Sequence, residues 1–445
     1  MGAPRMPLAS ITVVSRPART LPRRLALIGA TIAITAAPAL SSASPVDALL
    51  DGFAAKHPRM SALVTRLDAG GPVAVAAVNA RQSLAPASTM KIITSAAALL
   101  TVGPDFRFTT RIEGGANAQI SPDGTLSGPA YLIGSGDPML ATTAYSRGYL
   151  DRTGTPIERL AINVRRSGVR KIAGGLVIDE SLFDTKRMGP QWKSDYVWEC
   201  GPLSAIATNQ GRAGNDQSHN VSSPGKAAGQ RLVKALRHVG VTVHGSIRVG
   251  RDTPGGTVLG EVKSKPLSAI LGFMNPASDN FTAEMLTKDV GAYGAGHGTT
   301  AAGTDHAAKL LKERGALATS DDLVDGSGLS HSNRLAASTL VTILSDAESN
   351  PEWGDALVRS LEHGGEGTLI RRLRDPAVRN RVRAKTGYID GVASLAGVVT
   401  SRAGARYAFA FLINDRNIGG AQRTMDQAVT LLATGAADAA PAVTT

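Results

Sequence analysis

Between residues 106 and 249 the sequence has a different texture from the stretches on either side of it. Short apolar runs at 106–112, 130–133, 175–178 and 246–249 alternate there with Gly, Pro and Asp turns, the pattern of strands joined by loops. Before it, residues 47–63 read as a helix, 72–78 as a strand and 88–101 as an apolar helix entered through Pro86. After it, helical patterns return at 266–274, 280–290, 300–314 and 335–348. Two apolar runs, 392–400 and 407–413, then flank the turn Ser401-Arg402-Ala403-Gly404 and read as a hairpin. A chain of 445 residues has room for two to three cores. The layout predicts a β-rich module set into a helix-containing body, because a loop of that length without its own core is uncommon.

The first 43 residues carry five arginines and no acid, and removing those charges from the formal +12 leaves +7. Arg23-Arg24 precedes an apolar run at 25–36, followed by small residues through Ala39 and Ala43. That is the layout of a secretory signal, and the run is too short for a membrane-spanning helix. Membrane contact is therefore expected at most through this segment. The basic residues elsewhere are scattered and aromatics make up only 4%, which disfavours nucleic acid as a partner. The lone Cys200 cannot form an intramolecular disulfide and reads as a buried thiol. The eight His are dispersed without metal-ligand spacing, so neither metal nor cofactor is expected.

Three short motifs carry candidate chemistry. In Ser88-Thr89-Met90-Lys91 the first and last side chains share a helix face, so an amine can reach the hydroxyl that it would activate. On its own, the same spacing also fits a solvated helix face. Ser278-Asp279-Asn280 opens a helix and reads equally as a cap or as a polar pair beside substrate. Lys385-Thr386-Gly387 lies where a strand should start before the hairpin. A cation, a hydroxyl and a bare backbone suit a peptide lying alongside, although a turn with a solvated lysine fits as well.

Taken in order, Ser-x-x-Lys, Ser-x-Asn and Lys-Thr-Gly form the signature of serine penicillin-recognising enzymes. Ser278 lies 190 residues beyond Ser88 (278 − 88), a gap that holds a folded insertion. The layout resembles the low-molecular-mass class C penicillin-binding proteins, the D-alanyl-D-alanine carboxypeptidase/endopeptidase family. Further likeness lies in Gly134-Ser135-Gly136-Asp137-Pro138, Asp179–Asp184, Gly201–Ala205, Asp325–Ser330 and Gly367-Thr368-Leu369.

The resemblance implies an α+β fold: a penicillin-binding/β-lactamase-like catalytic domain, an antiparallel sheet flanked by helices, split by an inserted β-rich domain. The expected division is a signal over 1–43, catalytic segments over 44–105 and 262–440, and the insertion over 106–261. It implies Ser88 as the acyl-forming nucleophile, Lys91 as its base and Ser278 as the relay to the leaving D-alanine. Asn280, Lys385, Thr386 and Gly387 would hold substrate, with the backbone amides of Ser88 and Tyr388 facing the oxyanion. Tyr388 departs from the small hydroxyl residue common at that position and reshapes the cleft rim. The implied partners are peptidoglycan stem peptides, with β-lactams as inhibitors, in the periplasm or cell-wall space. A β-lactamase lacks support, since no Glu-x-x-Leu-Asn motif is present; a catalytically idle wall-binding protein would be expected to have lost the motifs.

Overall fold

The computed structural model describes residues 44–251, 256–416 and 418–438. The expected signal, residues 1–43, lies outside the described residues, as do the last seven of the Ala-rich tail. Helix α1 (Pro45–Ala54) begins where Ser44 Oγ accepts from the Asp47 amide at 3.1 Å with Pro45 in the first turn. It ends well short of residue 63. His57-Pro58 disfavours helical backbone, and the run from Met60 becomes a strand instead. The expected helix over 47–63 is thus helix to Ala54, a turn over 55–59 and strand from Met60. Strand β1 (Met60–Asp68) is central to its sheet and covered on both faces, so its apolar residues do not alternate.

With β1, strand β2 (Gly71–Val78) and helix α2 (Met90–Val102) complete the first catalytic segment. The insertion follows: β3 (Thr109–Gly114), β4 (Ala130–Ile133), α3 (Ile157–Arg166), β5 (Leu176–Asp179), α4 (Pro224–His238), β6 (Ile247–Val249) and β7 (Val258–Lys263). Its sheet runs β6-β5-β4-β3-β7, and β5 is parallel to both neighbours. Parallel neighbours need crossovers, and helices α3 and α4, which the short apolar runs did not announce, supply much of them. The strands by which the chain enters and leaves this module, β3 and β7, are paired antiparallel, with Thr109 opposite Lys263.

The second catalytic segment contributes α5 (Leu267–Ala277), α6 (Asn280–Asp289), α7 (Thr300–Glu313), α8 (Ala337–Ser349), α9 (Pro351–Ser360), β8 (Val382–Ile389), β9 (Val392–Thr400), β10 (Arg406–Asn414) and α10 (Ala421–Thr434). The sheet order is β8-β9-β10-β1-β2, antiparallel throughout. One face packs Leu63, Ala396, Ala410 and Leu412 on a helical cluster that includes Ile93, Leu271, Leu340 and Leu344. The other packs Val64, Leu395, Phe409 and Phe411 against Leu50 of α1 and Met425 and Leu432 of α10. A smaller cluster joins Phe183, Cys200 and Leu203 of the insertion to Phe281 and Met285 of α6, and this seam adjoins the motifs. No helix among the described residues is long and apolar enough to cross a membrane.

Candidate active site

Ser88 sits in a single 3-10 turn, Ala87–Thr89, that runs directly into α2. Ala87 is forced to a φ of 48°, which costs a non-glycine residue about 1–2 kcal/mol. Surrounding structure holds that turn in place. Ser394 Oγ donates to the Pro86 carbonyl at 2.6 Å, and Thr89 Oγ1 donates to the same oxygen at 2.7 Å. Gly328, itself at φ 83°, leaves room for the turn, since a Cβ there would meet the Ala87 carbonyl oxygen at 1.9 Å.

Lys91, one turn into α2, has no solvent exposure. Its Nζ lies 3.0 Å from Ser88 Oγ and donates to Asn280 Oδ1 and to the Ser327 carbonyl, each at 2.8 Å. Among the described residues no carboxylate is paired with it. Burial, with Lys385 as a second cause, brings its pKa down to about 7, against weaker pull from Asp325, Asp279 and Glu284.

The second motif is at once a cap and a site. Asp279 caps α6 by accepting from the Thr282 amide at 2.7 Å, while Asn280 reaches back to Lys91. The Asn280 carboxamide is engaged at both ends, for its Nδ2 donates to the Glu199 carbonyl of the insertion at 3.2 Å. Ser278 is left-handed at φ 52° between α5 and α6, half-buried. It is not brought into hydrogen-bond contact with Ser88 or Lys91.

The third motif lies mid-strand in β8 rather than at its start. Beyond the bridge between Ala384 and Glu362, the outer edge of β8 is unpaired among the described residues. Lys385 and Gly387 point inward and Thr386 and Tyr388 outward, as strand alternation requires. Lys385 is wholly buried; its Nζ donates to the Thr386 carbonyl at 3.0 Å and stands 3.8 Å from the buried Glu362 carboxylate. Burial lowers its pKa to about 8, with Glu362 pulling the other way. Gly387 does more than clear space for a ligand. A Cβ there would lie 2.1 Å from Ser394 Oγ, 2.7 Å from the Pro86 carbonyl and 3.0 Å from the Ser88 amide. The missing side chain is what lets β8 lie against the Ser88 turn. Tyr388 is 65% exposed.

These features bring a hydroxyl, a buried amine and an open strand edge together. A profile of the D-Ala-D-Ala carboxypeptidase 3 (S13) family matches residues 46–215 and 207–435. The chain belongs to that family. It is 34% identical over 363 residues to a carboxypeptidase of Mycobacterium tuberculosis, covering 78% of this chain and 75% of that one. It is 28% identical over 429 residues to a D-alanyl-D-alanine carboxypeptidase of Actinomadura, covering 78% and 76%. The fold matches that of penicillin binding protein 4 from Haemophilus influenzae at a TM-score of 0.69 and 24% identity, over 86% of this chain and 97% of that one. This S13 protein is therefore a serine-type D-Ala-D-Ala carboxypeptidase with an α+β penicillin-binding fold, a low-molecular-mass class C penicillin-binding protein.

Several site residues of this carboxypeptidase carry no motif that could have exposed them. Glu284 is buried one turn beyond Asn280 and accepts the amides of Gly326 and Ser327 at 3.1 and 2.8 Å, fixing the carbonyl that receives Lys91. Burial and the nearby Asp325 push its pKa up. Asp325 accepts from the amides of Gly328 and Ser330, from Asn333 Nδ2 and from Trp192 Nε1. The segment 325–330 resembled the family, but its role as the Lys91 cradle had no local signature. Cys200, buried in the seam beside Glu199, has its thiol pKa raised by burial and so is an inert packing group.

Proposed function

We propose that this carboxypeptidase is an exported enzyme of the periplasm or cell-wall space that cleaves D-Ala-D-Ala ends, or the cross-links made from them, through an ester on Ser88, and that β-lactams trap it there. The observation that carries the reading is the pairing of fully buried Lys91 with Ser88. As a neutral amine, Lys91 has two N–H groups for the two acceptors Asn280 Oδ1 and Ser327 C=O, which leaves its lone pair facing the Ser88 hydroxyl. A pKa near 7 makes that form available at physiological pH.

In the proposed sequence the Ser88 O–H proton passes to Lys91 as Oγ bonds to the carbonyl carbon of the penultimate D-alanine. The oxyanion faces the Ser88 and Tyr388 amides, whose elements are brought close by the absent Cβ of Gly387. Collapse breaks the C–N bond, and the leaving amine takes a proton from Lys91 by way of Ser278. Water then splits the ester, with Lys91 again accepting the proton. Asn280 and Thr386 flank the stem peptide lying along the open edge of β8. A β-lactam opens onto Ser88 in the same way, but its amine stays tethered and impedes water. Support for that trap comes from the Haemophilus influenzae fold neighbour, which has been solved complexed with a β-lactam.

The division proposed is a signal over 1–43, catalytic segments 44–105 and 262–440, and an insertion over 106–261. The basic and apolar run at 16–36 supports export. Labelling with a fluorescent penicillin tests the site: wild type is expected to label and Ser88→Ala is not, and equal labelling of both overturns the assignment. Mass spectrometry of the protein recovered from the wall space should find a mature N-terminus near residue 40 or 44.

A further inference from the structure

The third motif is supported from beneath by a residue that the acyl-transfer scheme does not use. Glu362, at the end of α9, has no solvent exposure, and its two oxygens divide their partners. Oε1 accepts from Thr368 Oγ1 at 2.6 Å and stands 3.8 Å from Lys385 Nζ; Oε2 accepts from the Leu369 amide at 3.0 Å. Thr368 Oγ1 is in turn hydrogen-bonded to Thr386 Oγ1. Gly367, at φ 46°, completes the nest, since a Cβ there would lie 2.6 Å from Glu362 Oε2. One buried carboxylate therefore holds both polar side chains of the Lys-Thr-Gly strand, one by charge and one through a hydroxyl.

We infer that Glu362 is a positioning residue that keeps the proton on Lys385 and orients Thr386, so that of two buried lysines the one facing Ser88 is left to act as base. This rests on the Ser88–Lys91 reading proposed above. Lys385 faces Glu362 and, across the cleft floor, Lys91; Lys91 in turn faces Asp325, Asp279 and Glu284. On Glu362's own segment, His363 is bonded to the Val382 carbonyl, and Arg383 of β8 to the Arg359 and Leu361 carbonyls. Lys385 is the cation paired with Glu362 among the described residues. A carboxylate beside a buried lysine opposes the loss of its proton that burial favours, and the charge so kept makes a second lysine nearby easier to deprotonate.

The test is the pH profile of acylation by a fluorescent penicillin, measured on the full chain for wild type, Glu362→Gln, Glu362→Asp and Thr368→Val. In wild type the rate should rise as Lys91 deprotonates near 7 and fall as Lys385 deprotonates near 8. Glu362→Gln should narrow that bell, the falling limb moving to lower pH because Lys385 loses the carboxylate that favours its charged form. Glu362→Asp should restore much of the width. Thr368→Val should leave both limbs in place and raise KM for a D-Ala-D-Ala peptide severalfold without lowering kcat comparably. A Glu362→Gln enzyme that melts like wild type and keeps both limbs overturns the inference. A Glu362→Gln chain that fails to fold transfers the test to Thr368→Val, for which a wild-type KM and kcat for the D-Ala-D-Ala peptide overturn the inference as well. Labelling of Ser88→Ala would instead overturn the nucleophile assignment, a separate failure.

Discussion

The two walls of the cleft each contain a fully buried lysine, and they treat it differently. On the helical wall, the hydrogen-bond partners of Lys91 among the described residues are neutral oxygens, those of Ser88, Asn280 and Ser327, with Asp325, Asp279 and Glu284 acting at longer range. On the strand wall, Lys385 faces a buried carboxylate at 3.8 Å. Burial lowers the pKa of both, to about 7 for Lys91 and about 8 for Lys385, and the lysine beside the carboxylate is the one whose charged form is supported by an ion pair. Neither outcome is written in the lysine itself; the contrast lies in which neighbours are anionic.

The harshest way to break the contrast is to delete the helical side. Ser88→Ala or Lys91→Met should lower acylation by at least about 1000-fold, read as the second-order rate with a fluorescent penicillin. Lys91→Met should nevertheless melt no lower than wild type, because an apolar chain of similar length removes a buried amine's desolvation cost. A marked fall in Tm would mean that the lysine's hydrogen bonds stabilise the fold.

Forcing the walls apart comes next. Gly387→Ala introduces a carbon 2.1 Å from Ser394 Oγ, so β8 must shift from the Ser88 turn. A displacement of even 1 Å is worth about 100-fold in rate, and the strain should also lower the melting temperature. Wild-type acylation by this variant would show that contact between the walls is dispensable.

Moderate effects come from pH alone. In the proposed mechanism Lys91, whose pKa is lowered by burial, must be neutral to act, so acylation should fall about tenfold per unit well below pH 7. The sign for stability is the reverse of the usual lysine case. A folded pKa below the unfolded one means that folding is disfavoured where the unfolded chain binds the proton, so the contribution of Lys91 improves as pH rises from about 7 toward its ordinary value of 10.5. Thermal melting of wild type against Lys91→Met between pH 7 and 10 reads this directly.

The mildest change sharpens the strand wall alone. Tyr388 is outward beside Thr386 and largely exposed, so Tyr388→Ser should leave Tm within about 1 °C. It should raise cleavage of cross-linked muropeptide dimers relative to monomers by severalfold, because the leaving group passes the rim that the ring occupies. An unchanged product ratio would remove Tyr388 from specificity.

Much of this was legible from spacing. The α2, α6 and hairpin placements followed from apolar periodicity and turn residues, and the three motifs do meet around one cleft in the fold. What escaped had physical causes. The strand over 60–68 is buried on both faces, so it carries no alternation by which to tell it from a helix. Helices α3 and α4 hid in a region whose short apolar runs read as strands. Glu284, Glu362 and Asp325 are single acids far apart in sequence, made significant only when the fold buries them under the cleft. Gly387 was legible as a need for space, but what fills that space, Pro86 and Ser88, lies some 300 residues upstream.

The pairing of β3 with β7 means that the chain departs for the insertion and returns from it at one doorway, Thr109 beside Lys263. Beyond it the insertion's own sheet and helices pack as a separate core that can change in bulk without stretching the body, whereas Met139, Tyr145 and Leu150 are built into the body's core. The freedom is lopsided. Trp192 donates to Asp325 and the Glu199 carbonyl accepts from Asn280, so this part of the insertion reaches the candidate site itself. A change of length in the outer core should therefore disturb the body less than a change at the residues that bond to Asn280, Asp279 or Asp325.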